Sequence, residues 1–350
     1  MGLAGTCMAH MALMALPFPA HARRGWPGQA RGRTVAREPF GRLEEVGEGL
    51  YALVSTPLSG DYTTVCNGGI VAGRRGVLLI EAFQTPEGAR WVAEKARELT
   101  GRWPTHVVIT HGHGDHAQGL PGLMAAETRG DPPGQQRTGD EALDPEESPR
   151  DRPVLLATYE TRELVLRRGG EEERESVGRL WAEVDLVEPH GARELDLGGR
   201  VVRLSPRRGH TPSDLIIDLP DEEVAWCGDL VWNGMFPNYM DALPSALSTS
   251  VRSLRDSSRE LYVPGHGPLA GPADMDRYLA VIDRVEEAAR NARERGLTAQ
   301  EAGEAFRIPP EMGEWTLFNP SYFRRAMEAW LREWSGAPVN ANNGAGVPEE

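Results

Sequence analysis

The chain has 350 residues and a formal net charge of −14 at neutral pH, room for one large domain with appendages or for two small domains. With 40% hydrophobic and 26% charged residues, it can bury a sizeable core. The acid balance argues against a general nucleic-acid binder, which needs a basic patch, and no stretch reaches the ~20 apolar residues of a membrane span.

Residues 1–37 are rich in Arg, Gly and Ala and show little periodicity, so they are expected to be a disordered leader or a signal segment outside the fold. Met8 to Phe18 is mildly apolar, and Ala20-His21-Ala22 fits a small-x-small cleavage site. No Lys or Arg precedes the apolar run, however, and Arg23-Arg24 follow it. Export and cytoplasmic residence both stay open. Cys7, Cys66 and Cys227 are widely spaced and read as buried or free thiols, not a disulfide framework.

A catalytic domain is expected over residues 38–272. It opens with short apolar runs separated by glycine and polar turns, at Gly49–Val54, Gly69–Ala72 and Val77–Ile80, the pattern of paired strands. Thr85 to Thr100 reads as a helix, with Trp91, Val92, Ala96 and Leu99 at helical spacing and Pro86 suited to the first turn. Val107-Val108-Ile109 is a short buried strand, and a short helix is expected over Ala117 to Ala126. Residues 128–153 are dense in Pro, Gly and charge and predict a mobile insertion, remote from the chemistry. Strands are expected again at Val154–Ala157, Val201–Leu204, Leu215–Leu219 and Val224–Trp226, with Thr161 to Arg167 helical. A helical extension over residues 273–335 is read from two amphipathic stretches, Met275–Arg295 and Phe323–Trp334. Residues 336–350 are expected to be a disordered tail.

The strongest chemical signal is Thr110-His111-Gly112-His113-Gly114-Asp115-His116, at the end of an apolar strand. Imidazole and carboxylate are the ligands that zinc, iron and manganese accept, and the two glycines remove bulk between them. A solvated histidine tract is the plain alternative, but the strand leading into it argues otherwise. Three more candidate ligands sit at strand ends or in glycine-bounded turns: His210 in Gly209-His210-Thr211-Pro212, Asp229 in Cys227-Gly228-Asp229, and His266 in Pro264-Gly265-His266-Gly267.

In this order the motifs HxHxDH, GHTPSD, CGDLV and PGHG resemble the metallo-β-lactamase superfamily over roughly residues 42–270. The resemblance implies an α/β fold, a four-layer αββα sandwich with the metals at one edge of two facing sheets. It implies one metal on His111, His113 and His210, a second on Asp115, His116 and His266, and Asp229 bridging. The implied enzyme is a hydrolase carrying two divalent ions, zinc first with iron or manganese as alternatives, whose bridging hydroxide attacks a small ester, thioester, lactone, lactam or sulfate. Asp115 and Asp229 are the expected proton-steering groups. A mononuclear iron persulfide dioxygenase and a non-catalytic metal-binding module are the competing readings.

Asp229 resembles the glyoxalase- and sulfatase-like branch, since true β-lactamases of the family usually carry Cys or Ser there. Cys227 is read as a strand residue. Glu81 stands where the family usually has Asp and is expected to orient a ligand loop from behind. Tyr62, Asn67, Tyr159, Trp232, Asn233 and Phe236 are candidates for the substrate pocket, and Trp315, Phe318, Tyr322 and Phe323 for a cap over its mouth or the core of a helical layer. A small-molecule substrate is the expected partner; oligomeric state is open.

Overall fold

A computed structural model describes residues 32–124, 152–168 and 174–339. The expectations for the leader before residue 32, for the insertion up to residue 151 and for the tail beyond residue 339 lie outside the described residues. Strand β1 (Arg33–Glu38) pairs antiparallel with β2 (Gly41–Gly47), which corrects the placement of residues 33–37 in the leader. The reason for the miss is physical. No β1 side chain is fully buried, and its two partly buried apolar residues, Val35 and Ala36, are adjacent and so show no alternation; the strand is held by its backbone ladder, by their packing and by an Arg33–Glu45 ion pair.

The first sheet continues through β3 (Leu50–Ser55), β4 (Gly68–Ala72) and β5 (Val77–Ile80), all antiparallel. Helix α1 (Pro86–Thr100) follows, its first turn capped by the Thr85 hydroxyl accepting from Gly88 N. Its buried face is Ala89, Val92, Ala93 and Ala96. Trp91 instead packs edge-on against Phe40, and Leu99 is exposed. Strand β6 (His106–Val108) then joins parallel to β5. After it come two single turns, α2 (Gly114–Ala117) and α3 (Pro121–Met124), where one continuous helix was expected. Gly119 between them lies so close to the backbone that a Cβ would sit 2.0 Å from Ala82 O, and the chain bends there. β7 (Val154–Thr158), α4 (Tyr159–Arg168), α5 (Arg174–Trp181) and β8 (Asp185–Val187) complete the eight-stranded sheet, with β5 to β8 parallel.

The second sheet has five strands: β9 (Arg193–Asp196), β10 (Val201–Arg207), β11 (Asp214–Leu219), β12 (Val224–Trp232) and β13 (Leu261–His266), with α6 (Pro244–Asp256) crossing over before β13. All pairs are antiparallel except β12 and β13. Helices α7 (Pro272–Glu294), α8 (Ala299–Ala305) and α9 (Tyr322–Ser335) end the described chain.

Three apolar layers hold this together. Leu50, Ala52, Leu78, Ile80 and Val108 of the first sheet meet Val202, Leu204, Leu215, Ile217 and Trp226 of the second. The outer face of the first sheet packs on α1 through Leu53, Ile70, Leu79, Val92 and Ala96. The outer face of the second carries α6 to α9 through Ile216, Ala225, Tyr262, Val251, Ile282 and Met327. The result is the four-layer αββα sandwich that the motifs implied, with the C-terminal helices as its fourth layer.

Trp226 pins the two sheets to one another. It is 1% exposed, its indole N–H donates to Gly68 O at 3.0 Å, and a Cβ on Gly69 would sit 2.5 Å from Nε1. The Gly68-Gly69 pair is therefore a seat for an indole from the opposite sheet. Trp226→Ala should destabilise the fold by roughly 3–5 kcal/mol, read by urea unfolding; a loss below about 1 kcal/mol would show that the sheets do not depend on this contact.

Candidate metal centre

Elements from both sheets deliver side chains to one edge of the sandwich. Behind β6, Thr110 N donates to Glu81 Oε2 at 3.2 Å and Leu215 N donates to Thr110 O at 2.8 Å. The histidine loop is thereby tied to β5 and to β11. From it His111, His113 and His116 turn inward, 0%, 7% and 0% exposed. His210 comes from the turn between β10 and β11, Asp229 from within β12, and His266 from the end of β13.

Their atoms form two groups. His111 Nε2 and His210 Nε2 lie 3.0 and 2.9 Å from His113 Nδ1. Asp229 Oδ2 is 3.2 Å from His210 Nε2 and 4.0 Å from His111 Nε2. The other carboxylate oxygen, Oδ1, is 3.1 Å from His116 Nε2 and 3.3 Å from His266 Nε2, and Asp115 Oδ2 is 3.3 Å from His266 Nε2. Each group's ligand-type atoms converge within 4.8 Å of one another, and Asp229 offers one oxygen to each.

Three of the rings, His111, His113 and His116, also meet side chains behind them. His111 Nδ1 is 3.0 Å from Thr110 Oγ1. His116 Nδ1 is 3.0 Å from Glu81 Oε1, a close charge contact that lies off the line of a hydrogen bond. His113 Nε2 bonds Asp241 Oδ2 at 2.8 Å, and Arg168 at the end of α4 donates to the same oxygen. Glu81 thus stands behind the ligand loop. It sits in a left-handed backbone conformation (φ +75°), as does Phe83 (φ +63°), a strained path held by Glu81 N to Val108 O and Ala82 N to His116 O, both 2.9 Å. Gly265 clears the carboxylate's space, since a Cβ there would sit 1.9 Å from Asp229 Oδ1.

Electrostatics divide the two groups. Burial pushes His111 well below the ordinary histidine value and His210 down to about 3, so both present neutral imidazoles. In the second group burial opposes charge on His266, but Asp229 and Asp115 outweigh it and lift the imidazole to about 9. Burial likewise opposes charge on His116, yet Cys66, Glu81, Asp229 and Asp115 together raise it. Burial alone would raise Asp115, but His116 and His266 hold it at about 2. Positive charge on the imidazoles of the second group thus compensates its carboxylates. A divalent cation held there would compensate them in the same way, in competition with those protons.

The donor set fits such ions. His116 Nε2 and Asp229 Oδ1 are both buried without a hydrogen-bond partner although they face each other. An unsatisfied buried polar atom costs about 1–3 kcal/mol, and a cation between them satisfies both.

Several of the pocket candidates make structural contacts around the centre. Asn67 is a brace: Ser55 N donates to its Oδ1 at 2.8 Å, and its Nδ2 donates to Pro264 O and Gly267 O, fixing the His266 turn. Asn233 does the same from the other side, donating to Pro268 O and Leu269 O, with its own N bonded to His266 O. Phe236 is 0% exposed and packs on Tyr239, Phe306 and Phe323. Short polar and aromatic side chains beside a ligand turn hold backbone as readily as they meet substrate. Trp232 does reach the centre, its ring 4.0 Å from that of His266, and Tyr322 meets it edge-on at 6.1 Å. Tyr62 is half-buried before β4, and Tyr159 is exposed at the start of α4. Cys227 is fully buried in the layer under α6 and α7, far above the ordinary thiol pKa because of that burial.

Asp241, Arg168 and Asp214 escaped the sequence reading as site residues. Asp214 is the D of GHTPSD, and it receives Thr211 N and Thr211 Oγ1 at 3.1 and 2.8 Å, shaping the turn that carries His210. Asp241 lies in an ordinary loop with no glycine-flanked motif, so only its approach to His113 reveals it.

A family model described as the metallo-beta-lactamase superfamily matches residues 61–266. The chain is 21% identical over 308 residues to a linear primary-alkylsulfatase from Pseudomonas sp. (strain ATCC 19151), covering 77% of this chain and 57% of that one. Among solved structures it is similar to the stereoselective inverting sec-alkylsulfatase Pisa1 from Pseudomonas sp., with a TM-score of 0.63 and 17% identity over 99% of this chain and 64% of that one. It is also similar to a metallo-beta-lactamase from Pontibacter korlensis, with a TM-score of 0.52 and 16% identity over 69% of this chain and 99% of that one. The chain spans less than two thirds of the length of both alkylsulfatases, and at these identities the structural likeness bears on fold alone. The matched segment takes in more than half of the chain and every one of the converging His and Asp side chains: the protein belongs to the metallo-beta-lactamase superfamily.

Proposed function

We propose that this chain is a metal-dependent hydrolase of small esters, with alkyl sulfate esters the leading substrate class. One divalent cation, zinc first, would be held by His111, His113 and His210, another by Asp115, His116 and His266, and both by Asp229. The observation that carries this reading is the division of the Asp229 carboxylate, Oδ2 toward His210 and Oδ1 toward His116 and His266. When bound, two such ions supply Lewis acidity and a water ionised near neutral pH.

The chain's own residues do the rest. Asp241 and Thr110 fix the His113 and His111 ring orientations. Asp115 is the carboxylate open to solvent, its side chain 23% exposed against 3% for Asp229, so it is placed to accept the attacking water's hydrogen bond and pass a proton outward. Trp232 walls the His266 side and excludes water from it. Water adds across the ester linkage, giving an alcohol and inorganic sulfate, and one proton leaves. The sulfate class is favoured because two of the similar proteins are named as alkylsulfatases. We place the catalytic unit over residues 33–272, with residues 273–335 as the helical layer that closes its outer face.

Elemental mass spectrometry on protein purified without added metal tests the centre. About two zinc per chain and turnover of a primary alkyl sulfate are expected. About one iron per chain with persulfide oxidation would transfer the reading to sulfur dioxygenation, and no metal uptake at all would end the enzyme reading. His113→Ala should abolish metal-dependent turnover while circular dichroism stays unchanged; full activity in that variant would remove the site. Asp241→Asn should weaken metal affinity roughly 10–100-fold, measured by competition with a chelator, and an unchanged affinity would show that Asp241 does not position His113.

A further inference from the structure

Arg325 on α9 has no carboxylate within ion-pair distance among the described residues, although it is half-buried. The acids that could neutralise it are already engaged: Glu328 takes Arg324 Nη1 at 2.9 Å, and Asp241 takes Arg168 and His113. Its guanidinium donates a single long hydrogen bond, 3.3 Å, to Asn238 Oδ1 and lies 5.6 Å above the Tyr322 ring. Burial depresses its pKa, yet an arginine stays charged at any physiological pH. A partly desolvated cation left without a counter-ion costs some stability, and such a cost is tolerated where a ligand supplies the missing charge.

Its neighbours locate the guanidinium against the centre. Tyr322 meets Trp232, which lies on His266, and Tyr322 is close enough to Asp115 and Asp229 for both to add to the burial that raises its phenol. On the other side Arg325 is within electrostatic reach of Asp241, the partner of His113. These contacts bracket it between the His113 and His266 sides. The helix is also pinned in register there, because Arg332 donates to Met240 O and Ala242 O, on either side of Asp241.

We propose that Arg325, assisted by Asn238, is the specificity-determining residue that binds the oxyanion of the substrate, so that the site selects singly charged esters over uncharged ones. This rests on the hydrolase reading above and names its substrate charge. The planar fork of a guanidinium matches two oxygens of such a group, whereas the ligand cluster itself offers only acceptors and imidazoles.

The test uses the zinc-loaded chain, a primary alkyl sulfate and an uncharged carboxylic ester of the same alkyl length. Arg325→Gln should lower the ratio of kcat/KM for sulfate over uncharged ester roughly ten- to hundred-fold, the cost of one charge-assisted hydrogen bond, and mainly through KM. Arg325→Lys should restore part of the ratio, since charge returns without the fork; that partial rescue separates recognition from a merely structural role. An unchanged ratio in Arg325→Gln overturns the proposal. If the native chain hydrolyses neither ester, the hydrolase reading fails, and calorimetric titration with inorganic sulfate decides on Arg325 alone. A native affinity that Arg325→Gln lowers about tenfold or more upholds the assignment; equal affinities, or no binding to the native chain, overturn it.

Discussion

The structure depends on keeping two carboxylates and five imidazoles together at a largely buried edge of the sandwich. Asp229 is 3% exposed and touches His210, His116 and His266 at once. Without positive charge that cluster would repel itself and lose its hydration with nothing in return. The proton-holding imidazole of His266 and the arginine behind Asp241 supply such charge, while His111 and His210, held neutral by burial, add none of their own. The cost of building such a place is visible in the left-handed Glu81 and Phe83, which a chain under no functional demand would avoid.

The ligands come in two kinds of setting, and each has its own reason for rigidity. His111, His113, Asp115 and His116 share one tight loop, so their mutual placement is local. Asp229 and His266 sit on adjacent parallel strands, so their distance is set by the sheet spacing and by the Asn67 and Asn233 braces. A centre mounted on sheet hydrogen bonds and amide braces can hold its geometry while surrounding loops differ. That explains how one family can keep a common centre while its members carry very different names.

Much of this was legible from residues alone. The histidine loop, His210, Asp229 and His266 each stand at a strand end beside glycine, and the structure brings all of them together. Helix α1 was bounded to within one residue, Thr85 proving to be its cap, because Pro86 is a local signal for the first turn. What escaped was of two kinds. Strand β1 has no buried face and so no period to read. Asn67, Asn233 and Asp241 act on the ligand turns through partners 35 to 200 residues away in sequence, and no local pattern separates a brace from a substrate contact. Arg325 belongs with them: its meaning comes from which acids are already taken.

The division of ligands between the sheets has a kinetic side. The first sheet supplies the His111 loop, while His210, Asp229 and His266 belong to the second, and β13 pairs with β12 only after the chain has passed through α6. Pairings this distant in sequence form late, because loop closure must precede any gain from contact. A folding intermediate with only the first sheet in place would own a loose loop of His111, His113, Asp115 and His116, drawn from both groups, and no shared Asp229 carboxylate. Tight ion capture is then one of the last events of folding, and the rate at which the refolding chain takes up metal is a clock for the docking of its two halves.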